Sequence, residues 1–118
     1  MLTVYAYQKC STCRDAIKWL DAHDISYQLK AIRETPPSTA ELASALKFLD
    51  GDLRKLFNTS GVDYRELGIK DQLPSLSESE ALDLLASNGN LVKRPFLIGK
   101  GVALVGFKPD AWESALSR

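Results

Sequence analysis

Polar and apolar positions change period several times along the chain. Over "LTVYAY", residues 2 to 7, apolar and β-branched or aromatic residues alternate as in a strand. From Thr12 to about Ala22 the period lengthens, and Ala16, Ile17, Trp19 and Leu20 form one apolar stripe of a helix. "ISYQLK" alternates again, with Ile25, Tyr27 and Leu29 on one face. Strand, helix, strand is a β-α-β unit, and its right-handed crossover makes the two strands a parallel pair.

Helical signals fill the middle of the chain. In "TPPSTAEL" a loop leads into a helix start, with Ser38 as cap and Glu41 completing a capping box. Leu42, Ala45, Leu46 and Leu49 form its buried stripe, and Gly51 suits its stop. "DLRKLF" is a short helix, "NTSG" a turn, and "DYREL" another short helix with Asp63 as cap and Gly68 as stop. "SESEALDLLASNG" carries a second capping box, Ser77 to Glu80, and ends at Asn88-Gly89. Two short apolar runs then flank Gly99-Lys100-Gly101, which predicts a hairpin. Pro109 fits the first turn of a last helix, whose Trp112 and Leu116 face the core. The order βαβ, helices, ββα predicts an α/β fold. The helices of about 36–90 have no sheet of their own, so they read as an insertion between the second and third strands of one domain spanning 1–118.

Composition then limits the function. With 118 residues the chain can build a core without staples. Its formal net charge is zero, so no global charge points to nucleic acid or an anionic membrane. No apolar run is long enough for a membrane span, and "MLTVYAYQKC" lacks the apolar core of a signal peptide. A cytoplasmic protein is expected, and nothing in the pattern asks for more than a monomer. Cys10 and Cys13 are too close together in sequence for a bridge between them to stabilise the fold. No metal site is expected, because two cysteines and a lone His23, read as a surface residue, fall short of a ligand set.

The chemistry concentrates at Cys10. It stands where the strand pattern gives way to the helix pattern, so the unpaired N–H groups and positive end of that helix favour its thiolate. Ser11 and Thr12 are small and polar, which leaves the backbone N–H groups open to an oxyanion. Cys13 lies one turn in and more shielded, so Cys10 is the expected attacking sulfur and Cys13 the resolving one. The competing reading is a pair of inert buried thiols. A C-x-x-C at the first strand-helix junction of a β-α-β unit is nevertheless a strong sign of a thioredoxin-like site. "KRPF" adds to it. Pro95, ahead of the late hairpin, holds the position of a cis proline that packs beside the active cysteine in such folds. Arg94 would bring a guanidinium, well matched to an oxyanion, toward the same pocket, against the plainer reading of a solvated charge. Arg14 is explained as well by a surface salt bridge, and Lys9 by an ordinary surface lysine.

With these residues in place the chain resembles the arsenate-reductase-like (ArsC/Spx) branch of the thioredoxin superfamily over nearly its full length. The resemblance rests on Tyr5, Cys10, Cys13, Arg14 and Ala16, on "LFNTSGVDYRELG", on "VKRPFLI" and on "ALVGF". It implies a thioredoxin-like sheet with a helical insertion between the second and third strands. It also implies Cys10 as nucleophile, Arg94 on the oxyanion, Ser11, Thr12, Arg14 and Pro95 around the substrate, and no bound cofactor. Glutathione or glutaredoxin would be the reductant, and a small thiol or an oxyanion the substrate. Two departures stand out. Ser60 occupies the place of an arginine that members often carry, and Lys108 that of another, with Arg54 or Lys55 as candidates to compensate. Cys13 replaces the serine of many glutaredoxin-linked reductases and matches the redox pair of Spx-type regulators, which bind RNA polymerase through its α subunit. Gly51 falls about where those regulators carry a glycine at the partner surface. Their longer charged tail has no match after Trp112, which favours the enzyme. The expectation is a thiol-dependent oxidoreductase, with the regulator as its rival.

Overall fold

The computed structural model describes residues 2–116. Strands β1 (Leu2–Ala6), β2 (Tyr27–Ala31), β3 (Phe96–Gly99) and β4 (Val102–Val105) form one sheet in the order β2-β1-β3-β4. β1 runs parallel to β2 and antiparallel to β3, and β3 is antiparallel to β4. Helix α1 (Ser11–Ala22) makes the crossover between the parallel strands, and α6 (Pro109–Leu116) follows β4. Between β2 and β3 come α2 (Thr39–Phe48), α3 (Val62–Glu66), α4 (Ile69–Gln72) and α5 (Glu78–Ser87). Three 3₁₀ turns, Leu53–Leu56, Leu73–Ser75 and Gly89–Leu91, join them.

Central position makes β1 apolar on both faces. Leu2, Val4 and Ala6 point one way and pack with Cys13, Ala16 and Leu20 of α1, Leu97 and Trp112. Tyr5 points the other way, into Ile32, Leu42, Leu46, Leu85 and Phe96. So α1 and α6 cover one face, and the insertion covers the other. The buried Tyr5 hydroxyl donates to Glu41 Oε1 at 2.7 Å. Glu41 also accepts from the Ser38 backbone N–H at 3.0 Å, so the capping box of α2 is joined to the central strand. The second expected box, Ser77 with Glu80, is present on α5.

Several local expectations are corrected by tertiary structure. Leu29 is 54% exposed, because β2 is the sheet edge and the helices do not cover that corner. The buried residue of this segment is Ile32, whose N–H donates to Ala6 O at 3.0 Å and extends the parallel ladder. Asp63 does not cap α3; Gly61 holds that place with no side-chain cap. Instead Asp63 Oδ2 accepts from Asn88 Nδ2 at 3.1 Å and Asn90 Nδ2 at 3.3 Å, tying α3 to the end of α5. Gly89 is not a left-handed stop after α5. It is buried, and a Cβ added to it would lie 1.8 Å from the carbonyl oxygen of Ile32. Glycine is required there for backbone contact.

Candidate thiol site

The link from β1 to α1 is short, and the Cys10 N–H donates back to Tyr7 O at 2.9 Å. Cys10 is the N-cap of α1, with φ −93° and ψ 116°. Its Sγ accepts from the Cys13 N–H at 3.4 Å, in the role usually played by a serine or aspartate oxygen. The positive end of a twelve-residue helix therefore acts directly on a sulfur. Partial burial alone would push the Cys10 thiol up. Hydrogen bonds from the Cys13 thiol and N–H, together with the charge and hydrogen bonding of Arg94, outweigh it, and the thiol is held below its ordinary value. Cys13 is 0% exposed, and burial above all, with the neighbouring Cys10 sulfur, pushes its thiol up to about 12.

Arg94 arrives from the loop before β3, across a cis peptide to a buried Pro95. The Pro95 carbonyl accepts from the Gly106 N–H at 2.9 Å, which ties this loop to the segment after β4. The Arg94 guanidinium carbon lies 5.1 Å from the centroid of the Tyr7 ring. Cys10, Thr12 and Arg94 share a cleft of about 970 Å³. Its other walls are the Leu53–Leu56 turn, the "NTSG" segment and the loop after β4, which bring Arg54, Lys55 and Lys108 to the cleft; Lys93 joins them beside Arg94, against one acid, Asp52. Ser60 lines it, as do Arg54 and Lys55, whose placement the sequence leaves open.

The remaining predicted residues lie outside the lining. Ser11 is exposed, Pro95 is buried, and Arg14 Nη1 donates to Gln8 O at 2.9 Å, bracing the loop ahead of Cys10. His23 is exposed and stacks on Trp19 at 4.0 Å between centroids. Among the described residues no three His, Cys, Asp or Glu side chains stand together as a metal cluster. Two neighbours of the site were not singled out from sequence, Tyr7 and Arg33. Arg33 Nη1 donates to the Tyr7 hydroxyl at 2.9 Å, and its guanidinium carbon is 4.9 Å from the ring centroid. The available signal was topological, since Tyr7, just after β1, and Arg33, two residues after its parallel neighbour β2, emerge at the same C-terminal end of the strands.

The ArsC family model matches residues 5–115. The chain belongs to the ArsC family. It is 48% identical over 112 residues to YusI, an uncharacterized protein of Bacillus subtilis, covering 95% of each chain. It is 31% identical over 118 residues to the global transcriptional regulator Spx of Streptococcus pyogenes, covering all of this chain and 87% of that one. Among solved structures, a possible arsenate reductase from Streptococcus mutans superposes with a TM-score of 0.85 at 45% identity, over 92% of each chain. The fold of this ArsC-family chain is accordingly the thioredoxin-like one with a helical insertion, and its kinship extends both to arsenate-reductase-like proteins and to Spx. No helix among the described residues is long and apolar enough to cross a membrane.

Proposed function

We propose that this chain is a thiol-dependent oxidoreductase with Cys10 as its nucleophile. The observation that carries the reading is the contrast between two sulfurs one helical turn apart. Cys10 caps the helix, is acidified, and opens on a cationic cleft; Cys13 is buried and held protonated. On a disulfide substrate the Cys10 thiolate attacks one sulfur, the S–S bond breaks, and the second sulfur leaves as a thiolate. A further thiol, from Cys13 or from glutathione, then gives up its proton and attacks the Cys10 sulfur. This releases the first substrate sulfur as a thiol, the two thiols supplying the two electrons, and glutathione or glutaredoxin then reduces the new Cys10 disulfide and restores the thiolate. Arg94 and the helix end hold the anionic partner. Arsenate is the narrower substrate candidate. Arg54, Lys55 and Lys108 at the cleft would offset the loss of the family arginine at Ser60.

The test is a coupled assay following NADPH with glutathione, glutaredoxin and either arsenate or a model disulfide. Wild-type protein should turn over at least one of them, and Cys10→Ser should abolish that turnover. A Cys10→Ser protein working at full rate would remove the assignment. The rival reading makes the Cys10–Cys13 pair a sensor whose oxidation biases contact with the α subunit of RNA polymerase. It is supported by the similarity to Spx and by the surface around Gly51. Nothing lies within 4 Å of where a Cβ would stand there, and Phe48 at the end of α2, three residues before it, is 55% exposed. Binding of the purified α subunit by a protein inactive on every disulfide and on arsenate would favour that reading.

A further inference from the structure

Cys10 gains from Arg94 only while the guanidinium stays close, and Arg94 belongs to a loop, not to a helix or strand. Something must hold it there against the pull of solvent on a long cationic side chain. The Tyr7 ring is the surface against which it rests, 5.1 Å from centroid to guanidinium carbon. That ring is in turn engaged by Arg33, which lies 4.9 Å from the centroid and donates to the hydroxyl at 2.9 Å. The three side chains line one alcove of about 200 Å³ beside the cleft, together with Asn58, Asp63 and Asn90. Its frame is stiff. Arg33 follows Ile32, whose carbonyl oxygen abuts Gly89, and Asn90 next to Gly89 donates to Asp63. Each guanidinium gains from the electron-rich ring, and the hydroxyl anchors that of Arg33.

We propose that Tyr7 and Arg33 are positioning residues, in which Arg33 fixes the Tyr7 ring and the ring holds the Arg94 guanidinium beside the Cys10 sulfur. The inference rests on the reading of Cys10 as an activated nucleophile. Neither residue touches the reacting sulfur; both act through Arg94.

The experiment measures the rate of iodoacetamide alkylation of Cys10 against pH, read by mass spectrometry on the Cys10 peptide of the full-length protein. The set comprises wild type, Arg94→Gln, Tyr7→Leu, Tyr7→Phe, Arg33→Gln and the double variant Tyr7→Leu/Arg94→Gln. Arg94→Gln should move the midpoint up. Tyr7→Leu should move it the same way, cutting the rate below the midpoint about two- to five-fold, the worth of one exposed cation–π contact. Tyr7→Phe keeps the ring and should retain most of the wild-type midpoint, and Arg33→Gln should fall between the two. The double variant should shift no further than Arg94→Gln alone, because the ring acts only through the guanidinium. Arg33 is exposed, so its variant reports even if Tyr7→Leu fails to fold. A Tyr7→Leu protein with the wild-type midpoint, beside an Arg94→Gln protein with a raised one, overturns the proposal and leaves the thiolate reading intact. An ordinary thiol midpoint in the wild type would instead overturn the thiolate reading, and the positioning role with it.

Discussion

Cys10 and Cys13 occupy one helical turn and are driven in opposite directions. For Cys13 the dominant influence is burial, which disfavours the thiolate and raises the thiol to about 12 from an ordinary 9.0. An unfolded chain releases that proton near the ordinary value while the folded one keeps it, so the unfolded state binds fewer protons in the interval. The stabilising contribution of the Cys13 thiol is thus fully present below pH 9.0 and is lost progressively as pH rises toward about 12. Cys10 has the opposite sign: its depressed value adds stability above the ordinary thiol value, lost as pH falls through the folded one. Urea unfolding of wild type and Cys13→Ala above pH 9.0, where Cys10 is ionised in folded and unfolded chains alike, isolates the Cys13 part. The stability difference between the proteins should narrow as pH rises. A difference constant across that range would mean that the Cys13 environment does not penalise its charge.

At the scale of elements, what could be read from sequence was what adjacent residues decide together. Both capping boxes form because Ser and Glu three apart satisfy each other's backbone within one helical turn. Cys10 is placed at a helix end because the alternation of β1 stops just before it. What could not be read depends on neighbours remote in the chain. Asp63 looks like a cap, but its carboxylate is taken by Asn88 and Asn90. Leu29 fits the alternation of a half-buried strand, yet edge position leaves it exposed. Arg33 has no local mark, and only the pairing of β1 with β2 brings it to Tyr7. Gly89 is the sharpest case, because a turn-like Asn-Gly pair is in fact a backbone packing contact. Gly89→Ala should cost at least about 3 kcal/mol, since the new carbon meets the backbone carbonyl of Ile32, a residue whose N–H is bonded into the parallel ladder. Gly51→Ala has a left-handed φ of 77° but open space around it, and should cost only about 1 kcal/mol. Equal melting temperatures for the two variants would contradict this reading of Gly89.

Across the whole molecule, zero net charge conceals an uneven distribution. Arg54 and Lys55 reach the cleft from the insertion, Lys93 and Arg94 from the loop before β3, and Lys108 from the loop after β4. Asp52 is the one acid lining it. Three separate chain segments therefore converge to make the mouth of the Cys10 site positive, while the compensating acids lie elsewhere. A charged cleft attracts its partner before contact, and the attraction fades as ions screen it. Raising ionic strength from about 0.01 M to about 0.15 M shortens the screening length from about 30 Å to about 8 Å. Over that range the rate of Cys10 attack on oxidised glutathione, an anionic disulfide, should fall by up to about tenfold. Attack on neutral hydroxyethyl disulfide should hardly change, because it depends on the sulfur and not on the approach. Lys108→Glu should depress the first rate at low salt and spare the second, since Lys108 is exposed at the cleft edge and has no contact with the thiol in the way Arg94 does. Stopped-flow traces with equal salt dependence for both disulfides would show that the cations around the cleft play no part in recruiting its substrate.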